Sequence, residues 1–257
     1  MLRNSYLIIL PTYNERDNLA RIIDRILRVS TAVDILVIDD SSPDGTADIA
    51  RSLAAVDKRI HVIQRDSKLG LGSAYLMGFA HALTNGYRGV VTMDADNSHD
   101  PAILPQMFEA LENADLVIGS RYTSGGSTNQ RAARKLNSTL ANLLARTVLD
   151  LPIHDCTSGF RLYSTSALSR LKLEELRSRG YSMLVELLCK IVEYPGRVVE
   201  VPIAFRDRSV GESKIGMHEV WESLRTIARL RRGRFGNIRT RVANRIYNLF
   251  PHDDSRD

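Results

Sequence analysis

The stretch that decides the fold is residues 6–15, Tyr-Leu-Ile-Ile-Leu-Pro-Thr-Tyr-Asn-Glu, in which an apolar run leads directly into a polar cluster. A short β-branched or apolar run that ends at turn residues is typical of a buried strand in a parallel sheet. Four more runs of this kind follow before residue 120. We therefore predict strands at Tyr6–Leu10, Asp34–Asp39, Ile60–Gln64, Gly89–Met93 and Asp115–Gly119.

Amphipathic segments with helix start signals lie between these runs. Ser42 precedes Pro43 and Asp100 precedes Pro101, which is the usual order of an N-cap residue and a first helical proline. Regular alternation of strand and helix predicts an α/β fold with a Rossmann-like, mostly parallel sheet flanked by helices. Beyond residue 130 we predict helices over 132–149 and 181–192, a segment around 158–163, and a last strand over 197–205.

Polar clusters stand at the ends of three of the predicted strands. In open α/β sheets ligands bind outside the carboxyl ends of the strands, so these clusters are the candidate site. No Gly-x-Gly-x-x-Gly motif follows the first strand, because Pro11 and its neighbours occupy that place, which disfavours a dinucleotide-dependent dehydrogenase. The clusters are residues 11–15, 39–42 and 94–96.

The sequence Asp94-Ala95-Asp96 carries the clearest chemistry. Two carboxylates one residue apart leave an apolar strand together, so both can reach one hard cation, Mg²⁺ or Mn²⁺, that also binds a substrate diphosphate. Asp96 is expected to be an exposed ligand whose loss spares the fold. Asp40 is a candidate for the hydroxyl groups of a nucleoside ribose, although such a run is equally compatible with a polar turn.

Charge is distributed unevenly along the 257 residues. Residues 1–222 carry 26 basic and 27 acidic side chains, whereas residues 223–252 carry eight arginines and no acid. We predict one catalytic domain over 1–222 and a basic amphipathic tail over 223–257. We expect no membrane-spanning helix and no export signal, and we expect Cys156 and Cys189 to be buried thiols.

Six motifs in order resemble the family 2 glycosyltransferases, and specifically the polyprenol (dolichol) phosphate mannosyltransferases, from about residue 6 to residue 215. The motifs are Pro11-Thr12-Tyr13-Asn14-Glu15, Asp39-Asp40 with Ser42-Pro43-Asp44, Asp94-Ala95-Asp96, Gly119-Ser120-Arg121-Tyr122, Ser158-Gly159-Phe160 and Gly211-Glu212-Ser213-Lys214.

The resemblance implies a GT-A fold, GDP-mannose as donor, a polyprenyl or dolichyl phosphate as acceptor, and inversion at the sugar carbon. It assigns Pro11, Tyr13, Glu15, Ile38 and Asp40 to the nucleoside. It assigns Asp94, Ala95 and Asp96 to the metal and donor, Arg121, Arg134 and Ser138 to the acceptor phosphate, and Arg208 and Lys214 to the donor diphosphate. Asp96, Arg121 and Arg134 are the predicted catalytic residues.

This chain departs from some relatives at Ser98, where they have a glutamine that also binds the metal, so Ser98 is a further candidate metal ligand. A phosphate acceptor is already anionic, so no general base is expected. Glu186 is interpreted as a helix charge, and the six histidines as structural or solvent-facing, with His99 the least certain.

Each assigned residue also has an ordinary structural interpretation. Tyr13 suits a packing aromatic, Glu15 a charge favoured by the helix dipole, and Arg121 a surface charge. Arg134 and Ser138 suit an exposed helix face one turn apart, and Arg208 and Lys214 suit an ordinary loop.

Three other functions remain open at this stage. They are a UDP-glucose-dependent polyprenyl-phosphate glucosyltransferase, a nucleotide-sugar pyrophosphorylase, and a sugar-nucleotide sensor with a nucleic-acid handle. A pyrophosphorylase would show a Gly-rich basic loop after the first strand, and the basic tail lacks the interleaved aromatics of nucleic-acid binding, so no nucleic acid is expected.

The basic tail predicts a peripheral position at a membrane. Leu224, Ile227, Ala228 and Leu230 alternate with arginines, which gives an apolar stripe beside a cationic face. We expect the tail to hold the protein to an anionic surface, at the cytoplasmic face of the plasma membrane in a bacterium or of the endoplasmic reticulum in a eukaryote. The alternatives are that the arginines form solvated helix faces or that they dock on the membrane helix of a small membrane-anchoring subunit.

Overall fold

The computed structural model describes residues 5–129, 132–178, 180, 182–193, 197–206 and 224–232, and for 132–137 it describes the backbone only. The first part alternates strand and helix: β1 Tyr6–Thr12, α1 Arg16–Val29, β2 Val33–Asp39, α2 Thr46–Val56, β3 Ile60–Gln64, α3 Leu71–Asn85 and β4 Gly89–Thr92. The second part continues with a 3₁₀ turn Pro101–Ile103, α4 Leu104–Leu111, β5 Leu116–Ser120, β6 Ser127–Thr128, α5 Ala132–Val148, β7 Arg161–Ser164, α6 Thr165–Ser169, a 3₁₀ turn Leu173–Glu175, α7 Ser182–Glu193, β8 Val198–Pro202 and β9 Ala204–Phe205.

A seven-stranded sheet forms the centre, in the order β3-β2-β1-β4-β7-β5-β8. All its pairings are parallel except those of β7, which runs antiparallel to both β4 and β5. The predicted mostly parallel sheet is therefore confirmed. Because β7 is reversed between two parallel neighbours, its amino end lies at the edge of the sheet where the other strands have their carboxyl ends.

Helices cover both faces of the sheet, because the central strands are largely apolar and are buried along nearly their whole length. One hydrophobic cluster packs α3, α5 and α7 against one face, and a second packs α1, α2 and α4 against the other. The five predicted strands and two later helices lie within about two residues of their predicted bounds. The predicted last strand is divided at Ile203 into β8 and β9.

One of the two predicted helix starts is wrong. α2 begins at Thr46 behind Gly45, whose φ of 87° lies in the left-handed region that favours glycine. Ser42 instead donates from its hydroxyl group to Asp39 at 2.6 Å and accepts from the backbone of Asn14 at 3.0 Å. The other start is confirmed, since Asp100 accepts from the backbone N–H of Ala102 at 3.1 Å.

Backbone strain is concentrated at the carboxyl edge of the sheet. Asn14, Ser41 and Asn97 follow β1, β2 and β4, and each has a φ between 57° and 64°. Left-handed conformations of residues other than glycine cost free energy and persist where the surroundings impose them, often at functional sites.

The segment 224–232 is helical and packs on the preceding part of the described chain, here called the body. Ile227 is 7% exposed in the cluster that contains α7, and Leu230 packs against that cluster. Arg229 donates to Ser178 Oγ at 2.6 Å and to Glu186 Oε2 at 3.1 Å. These three side chains therefore face the body, which corrects the prediction for Ile227 and Leu230, whereas Leu224 and Ala228 of the predicted apolar stripe are exposed. The rest of the tail lies outside the described residues.

Glu186 lies in helix α7, as its interpretation as a helix charge requires, and the structure adds its contacts. Its carboxylate is buried and accepts from the backbone N–H groups of Arg177 and Ser178 as well as from Arg229, so it links these residues to α7. Within the described residues, no helix has the length and apolar character needed to cross a membrane.

Candidate active site

The sheet topology brings five of the six sequence motifs to one edge. β1, β2 and β4 are parallel neighbours, so the clusters that follow them lie side by side. β5 has the same direction, and Ser158-Gly159-Phe160 leads into the reversed strand β7 at the same edge. The sixth motif, with Arg208 and Lys214, lies outside the described residues.

Asp39, at the end of β2, makes hydrogen bonds within the fold. It is fully buried and accepts from Thr12 Oγ1 at 2.9 Å and from the backbone N–H of Ser42 at 2.9 Å. These bonds tie the loop after β2 to the end of β1.

Asp40 is turned toward the loop between β3 and α3. It is buried, its Oδ2 accepts from the backbone N–H of Gly70 at 2.8 Å, and its Oδ1 faces the Arg65 guanidinium in an ion pair without a well-angled hydrogen bond. Burial lowers the pKa of Arg65, while the charge of Asp39 acts in the other direction. The sequence analysis did not identify Arg65. The contact that it predicts between Asp40 and a nucleoside stays a prediction.

The other nucleoside candidates differ in their access to this edge. Tyr13 is partly exposed, and the ammonium group of Lys68 lies 3.8 Å from the centre of its ring. Glu15 precedes α1 and accepts from Asn18 Nδ2 at 2.8 Å. Pro11 is partly exposed, whereas the side chain of Ile38 is wholly buried in the core, so only the backbone of Ile38 remains to meet a ligand.

The loop after β4 contains Asp94-Ala95-Asp96, the predicted metal motif, and its own backbone fixes the second carboxylate. Asp96 is 3% exposed, which corrects the expectation of an exposed ligand, and its Oδ1 accepts from the backbone N–H of Ser98 at 3.0 Å. Ala95 is buried and Asp94 is partly exposed. The hydroxyl oxygen of Ser98 is buried and has no hydrogen-bond partner.

These oxygen atoms suit a divalent ion that takes most of its ligands from water and phosphate. The described residues contain no cluster of three or more His, Cys, Asp and Glu side chains placed to hold a metal. Two carboxylates and an unpaired hydroxyl oxygen are oxygen donors of the kind that Mg²⁺ and Mn²⁺ prefer, and such ions are commonly completed by substrate phosphates.

His99 is buried beside this motif and contacts it, which agrees with its interpretation as a structural histidine. Its Nδ1 accepts from the backbone N–H of Asp94 at 3.2 Å, so that nitrogen is unprotonated in this bond. Its ring stacks on Phe160 at 5.0 Å between centroids and meets Phe205 edge-on at 5.6 Å. The feature of the sequence that pointed to His99 is its position three residues after Asp96.

Arg121 forms an ion pair with the buried carboxylate of Asp155. Its Nε and Nη2 donate to the two oxygens of Asp155, each at 2.8 Å, and Nη2 also donates to Thr157 Oγ1 at 2.8 Å. The remaining nitrogen, Nη1, lies 3.4 Å from Ser138 Oγ. The surface-charge interpretation of Arg121 is therefore wrong, since its side chain is only 8% exposed.

Arg121 and Asp155 each stabilise the charged form of the other. Burial alone would raise the pKa of Asp155, but the hydrogen bonds and charge of Arg121 outweigh it and hold the pKa below its ordinary value. Burial alone would lower the pKa of Arg121, and Asp155 outweighs it in turn. Sequence reasoning missed Asp155, although a carboxylate three residues before Ser158 in a run of small and apolar residues was visible.

Arg134 lies in α5 with only its backbone described, so its contact with Arg121 or Ser138 stays a prediction. The hydroxyl group of Ser138 lies 3.4 Å from Arg121 Nη1 and 3.1 Å from Tyr122 Oη, and the assignment of Ser138 and Arg121 to an acceptor phosphate stays a prediction. Cys156 and Cys189 are buried and free, which confirms their prediction, and burial raises the pKa of Cys156 to about 11.

Two curated proteins resemble this chain over most of its length. A polyprenol monophosphomannose synthase of Mycolicibacterium smegmatis is 43% identical over 225 residues, which cover 86% of this chain and 85% of that protein. An undecaprenyl-phosphate mannosyltransferase of Micrococcus luteus is 42% identical over 224 residues, which cover 87% of this chain and 92% of that protein.

Solved structures share the fold at low identity. Glucosyl-3-phosphoglycerate synthase of Mycobacterium tuberculosis, in complex with Mn²⁺, UDP-glucose and phosphoglyceric acid, has a TM-score of 0.61 and 21% identity over 89% of this chain and 80% of that chain. A mannosyltransferase of Pyrobaculum calidifontis, in complex with GDP-mannose and Mn²⁺, has a TM-score of 0.57 and 18% identity over 86% of this chain and 60% of that chain.

The sequence model of the family described as "Glycosyl transferase family 2" matches residues 7–172, which contain every described site residue named above except Phe205. From this match and the two curated relatives, it follows that the chain belongs to glycosyl transferase family 2.

Proposed function

We propose that the protein transfers mannose from GDP-mannose to a polyprenyl monophosphate and releases GDP and polyprenyl phosphate mannose. The observation that carries this proposal is the Arg121–Asp155 pair, because it holds a guanidinium group at the same edge of the sheet as the metal motif. Asp155 binds Nε and Nη2, so the remaining nitrogen Nη1, beside Ser138, is the donor that we place at an oxygen of the acceptor phosphate. The names of the two curated relatives support the same acceptor and sugar.

In the proposed reaction an oxygen of the lipid phosphate attacks the anomeric carbon from the face opposite the leaving group. The bond between that carbon and the diphosphate oxygen breaks, and its electron pair leaves with GDP, so the configuration inverts. Arg121, oriented by Asp155 and helped by Ser138, holds the attacking phosphate in line. No side chain is needed as a base, because the attacking oxygen is already anionic near neutral pH.

Charge that develops on the leaving diphosphate requires stabilisation on the donor side. Asp94 and Asp96, with Ser98, would hold a Mg²⁺ or Mn²⁺ ion that supplies electrostatic stabilisation when bound. Among the structures described above, both complexes that contain a nucleotide sugar also contain Mn²⁺. Pro11, Tyr13, Glu15 and Asp40 are proposed at the nucleoside, and Arg208 and Lys214 at the diphosphate.

A lipid acceptor requires the protein to reach a membrane surface, and we assign it a peripheral position there. α5 supports this assignment, because it exposes Leu140, Leu143 and Leu144 to 54%, 55% and 39%. These leucines follow Ser138 on the same helix, so an apolar face leads away from the phosphate site. The cytoplasmic side of the membrane and a membrane-anchoring subunit stay predictions.

The decisive assay uses the full chain with radiolabelled GDP-mannose and a short polyprenyl phosphate, with Mg²⁺, with Mn²⁺ and with chelator. Metal-dependent formation of the mannosyl lipid is expected, with the β-configuration at the sugar carbon in its NMR spectrum. UDP-glucose is tested in parallel. Turnover of UDP-glucose without turnover of GDP-mannose would replace the proposal with the glucosyltransferase alternative.

A further inference from the structure

The loop between α5 and β7 carries Asp155 and Thr157, whose side chains accept hydrogen bonds from the guanidinium group of Arg121. Side chains from three other elements bind the backbone of this loop. Glu200 of β8 accepts from the backbone N–H groups of His154 and Asp155, at 2.8 and 2.9 Å. The backbone at Asp155 is therefore fixed to the edge strand of the sheet.

Arg161 of β7 binds the same loop further along the chain. Its guanidinium group is fully buried and donates to the carbonyl oxygens of Cys156 and Ser158, each at 2.7 Å. It also donates to the carbonyl oxygen of Leu184 in α7 at 2.6 Å. Because β7 and β8 belong to the same sheet as β5, the strand that leads to Arg121, these contacts fix the loop relative to Arg121 but not relative to α5.

Asn142 supplies the contact from α5. Its side chain is buried, its Nδ2 donates to the carbonyl oxygen of His154, and its Oδ1 accepts from the backbone N–H of Cys156 at 2.8 Å. These two backbone groups belong to the residues on either side of Asp155. The amide of Asn142 therefore fixes the backbone on both sides of the carboxylate that orients Arg121.

Asn142 lies one helical turn after Ser138. Residues four positions apart in a helix project from the same face, so both side chains of α5 are directed toward the Arg121 region. The hydroxyl oxygen of Ser138 lies 3.4 Å from Arg121 Nη1. This distance joins a residue of a helix to a residue that follows a strand, and the contact of Asn142 with the loop sets how closely the two elements approach.

We propose that Asn142 is a positioning residue of the acceptor site, which holds α5 against the loop of Asp155 so that Ser138 and Arg121 Nη1 meet the same phosphate group. This inference rests on the proposed function for the identity of the acceptor. Asn142 is not placed at the substrate, because the nitrogen and the oxygen of its amide are both bound to the loop. Its effect on transfer passes through Asp155 and Arg121.

Steady-state kinetics of the full chain with GDP-mannose and a short polyprenyl phosphate test this role. Asn142→Ala is expected to raise the KM for the acceptor about tenfold, because Ser138 and Arg121 no longer meet one phosphate. We expect kcat to fall by less than about threefold and the dissociation constant for GDP to stay unchanged. Asn142→Ser keeps a polar group that is too short to bind both backbone groups, so it should raise the KM in the same way with a smaller fall in melting temperature.

A second background separates this role from a general loss of stability. In Arg121→Lys the planar group that Asp155 orients is already absent, so adding Asn142→Ala should raise the KM further by less than about twofold. A rise of the same size in the wild-type and Arg121→Lys backgrounds would overturn the proposal, because Asn142 would then act independently of Arg121. An unchanged KM in both Asn142 variants would overturn it as well.

Asn85 provides the matched control. Its Nδ2 also donates to a backbone carbonyl oxygen, that of His81, at 2.8 Å, but it lies at the last residue of α3, near the opposite edge of the sheet. Asn85→Ala should leave the KM for the acceptor and the dissociation constant for GDP unchanged.

Failure of the proposed function has a different signature, because it shows in the wild-type protein. Turnover of UDP-glucose alone would change the donor and leave the same acceptor test in place. No transfer to polyprenyl phosphate from either donor would contradict the acceptor, and melting temperatures would then decide whether Asn142 positions Arg121. A double variant that loses less than the sum of the two single losses would support the contact through Asp155, and additive losses would reject it.

Discussion

At the scale of single residues, two substitutions of Asp96 distinguish its expected role in metal binding from its contribution to the stability of the loop around it. Because it is buried and accepts from the backbone of Ser98, removal of the whole side chain also removes a structural bond. Asp96→Asn keeps an oxygen for that bond and loses the charge. We expect it to abolish metal-dependent transfer while the melting temperature stays within about 3 °C of wild type.

Asp96→Ala is expected to abolish transfer as well and to melt at a lower temperature than Asp96→Asn. Retained metal-dependent turnover in Asp96→Asn would remove Asp96 from the site.

Arg121 tests how the acceptor is held. Arg121→Lys keeps the charge but loses the planar fork that Asp155 orients. We expect the KM for a polyprenyl phosphate to rise about tenfold or more while the affinity for GDP stays nearly unchanged. Arg225→Lys, an exchange at an exposed arginine of the helical segment, serves as the control. An equal loss of affinity for GDP in Arg121→Lys would place Arg121 on the nucleotide.

Asp155 makes the stability of the fold depend on pH. Its folded pKa is held below its ordinary value by Arg121, so the pair stabilises the fold above about pH 4 and loses this contribution as the pH falls through the folded pKa. At neutral pH, Asp155→Asn leaves the Arg121 charge buried and unpaired, which we expect to cost about 3 kcal/mol.

Urea unfolding at pH 7 and below pH 4 measures this effect. The difference in stability between wild type and Asp155→Asn should shrink on acidification. A difference that stays constant with pH would show that the charge of Asp155 does not stabilise the fold.

At the scale of elements, α5 combines two functions along one helix. Asn142 and Ala145 face the body, while Leu140, Leu143 and Leu144 face outward. We predict that changing these three leucines to serine lowers binding to vesicles that contain polyprenyl phosphate about tenfold or more, since apolar area is lost from the contact. Binding of GDP and turnover of a short soluble acceptor should be unchanged.

Val56→Ser is the control for this variant, because Val56 is 90% exposed at the end of α2, a helix on the opposite face of the sheet. Cosedimentation with vesicles at low and high salt provides the measurement. Unchanged cosedimentation of the triple variant would exclude the α5 leucines from the membrane contact.

On the scale of the whole molecule, a nearly neutral body carries a basic end. The helical segment 224–232 belongs to the body, because Ile227 is buried and Arg229 pairs with Glu186. Deletion of residues 233–257 therefore leaves this packing in place. We predict that it lowers transfer to a membrane-embedded acceptor and spares transfer to a short soluble one, because it removes five of the nine arginines of residues 223–257, which attract an anionic surface.

Binding to anionic vesicles across a salt series checks this prediction. The full chain should bind in a salt-sensitive manner, and the truncated chain should lose that part of its affinity. Salt-insensitive and unchanged binding of the truncated chain would show that residues 233–257 are not the anchor.

The sequence by itself determined the local structure and the family. Apolar runs located the strands at 6, 34, 60, 89 and 115 to within about two residues, because burial on both faces leaves a continuous hydrophobic signal. The polar clusters at the strand ends located the edge that carries the candidate site. The ordered motifs identified glycosyl transferase family 2, which the comparisons confirmed.

Only the tertiary structure decided which distant side chains meet. Asp155 reaches Arg121 across 34 residues and Arg229 reaches Glu186 across 43, and Arg65 meets Asp40 through a loop. The insertion of β7 between β4 and β5 creates the first of these contacts. Periodicity in a sequence reports how deeply each residue is buried, but a buried charge is stabilised by a partner whose position depends on the path of the whole chain.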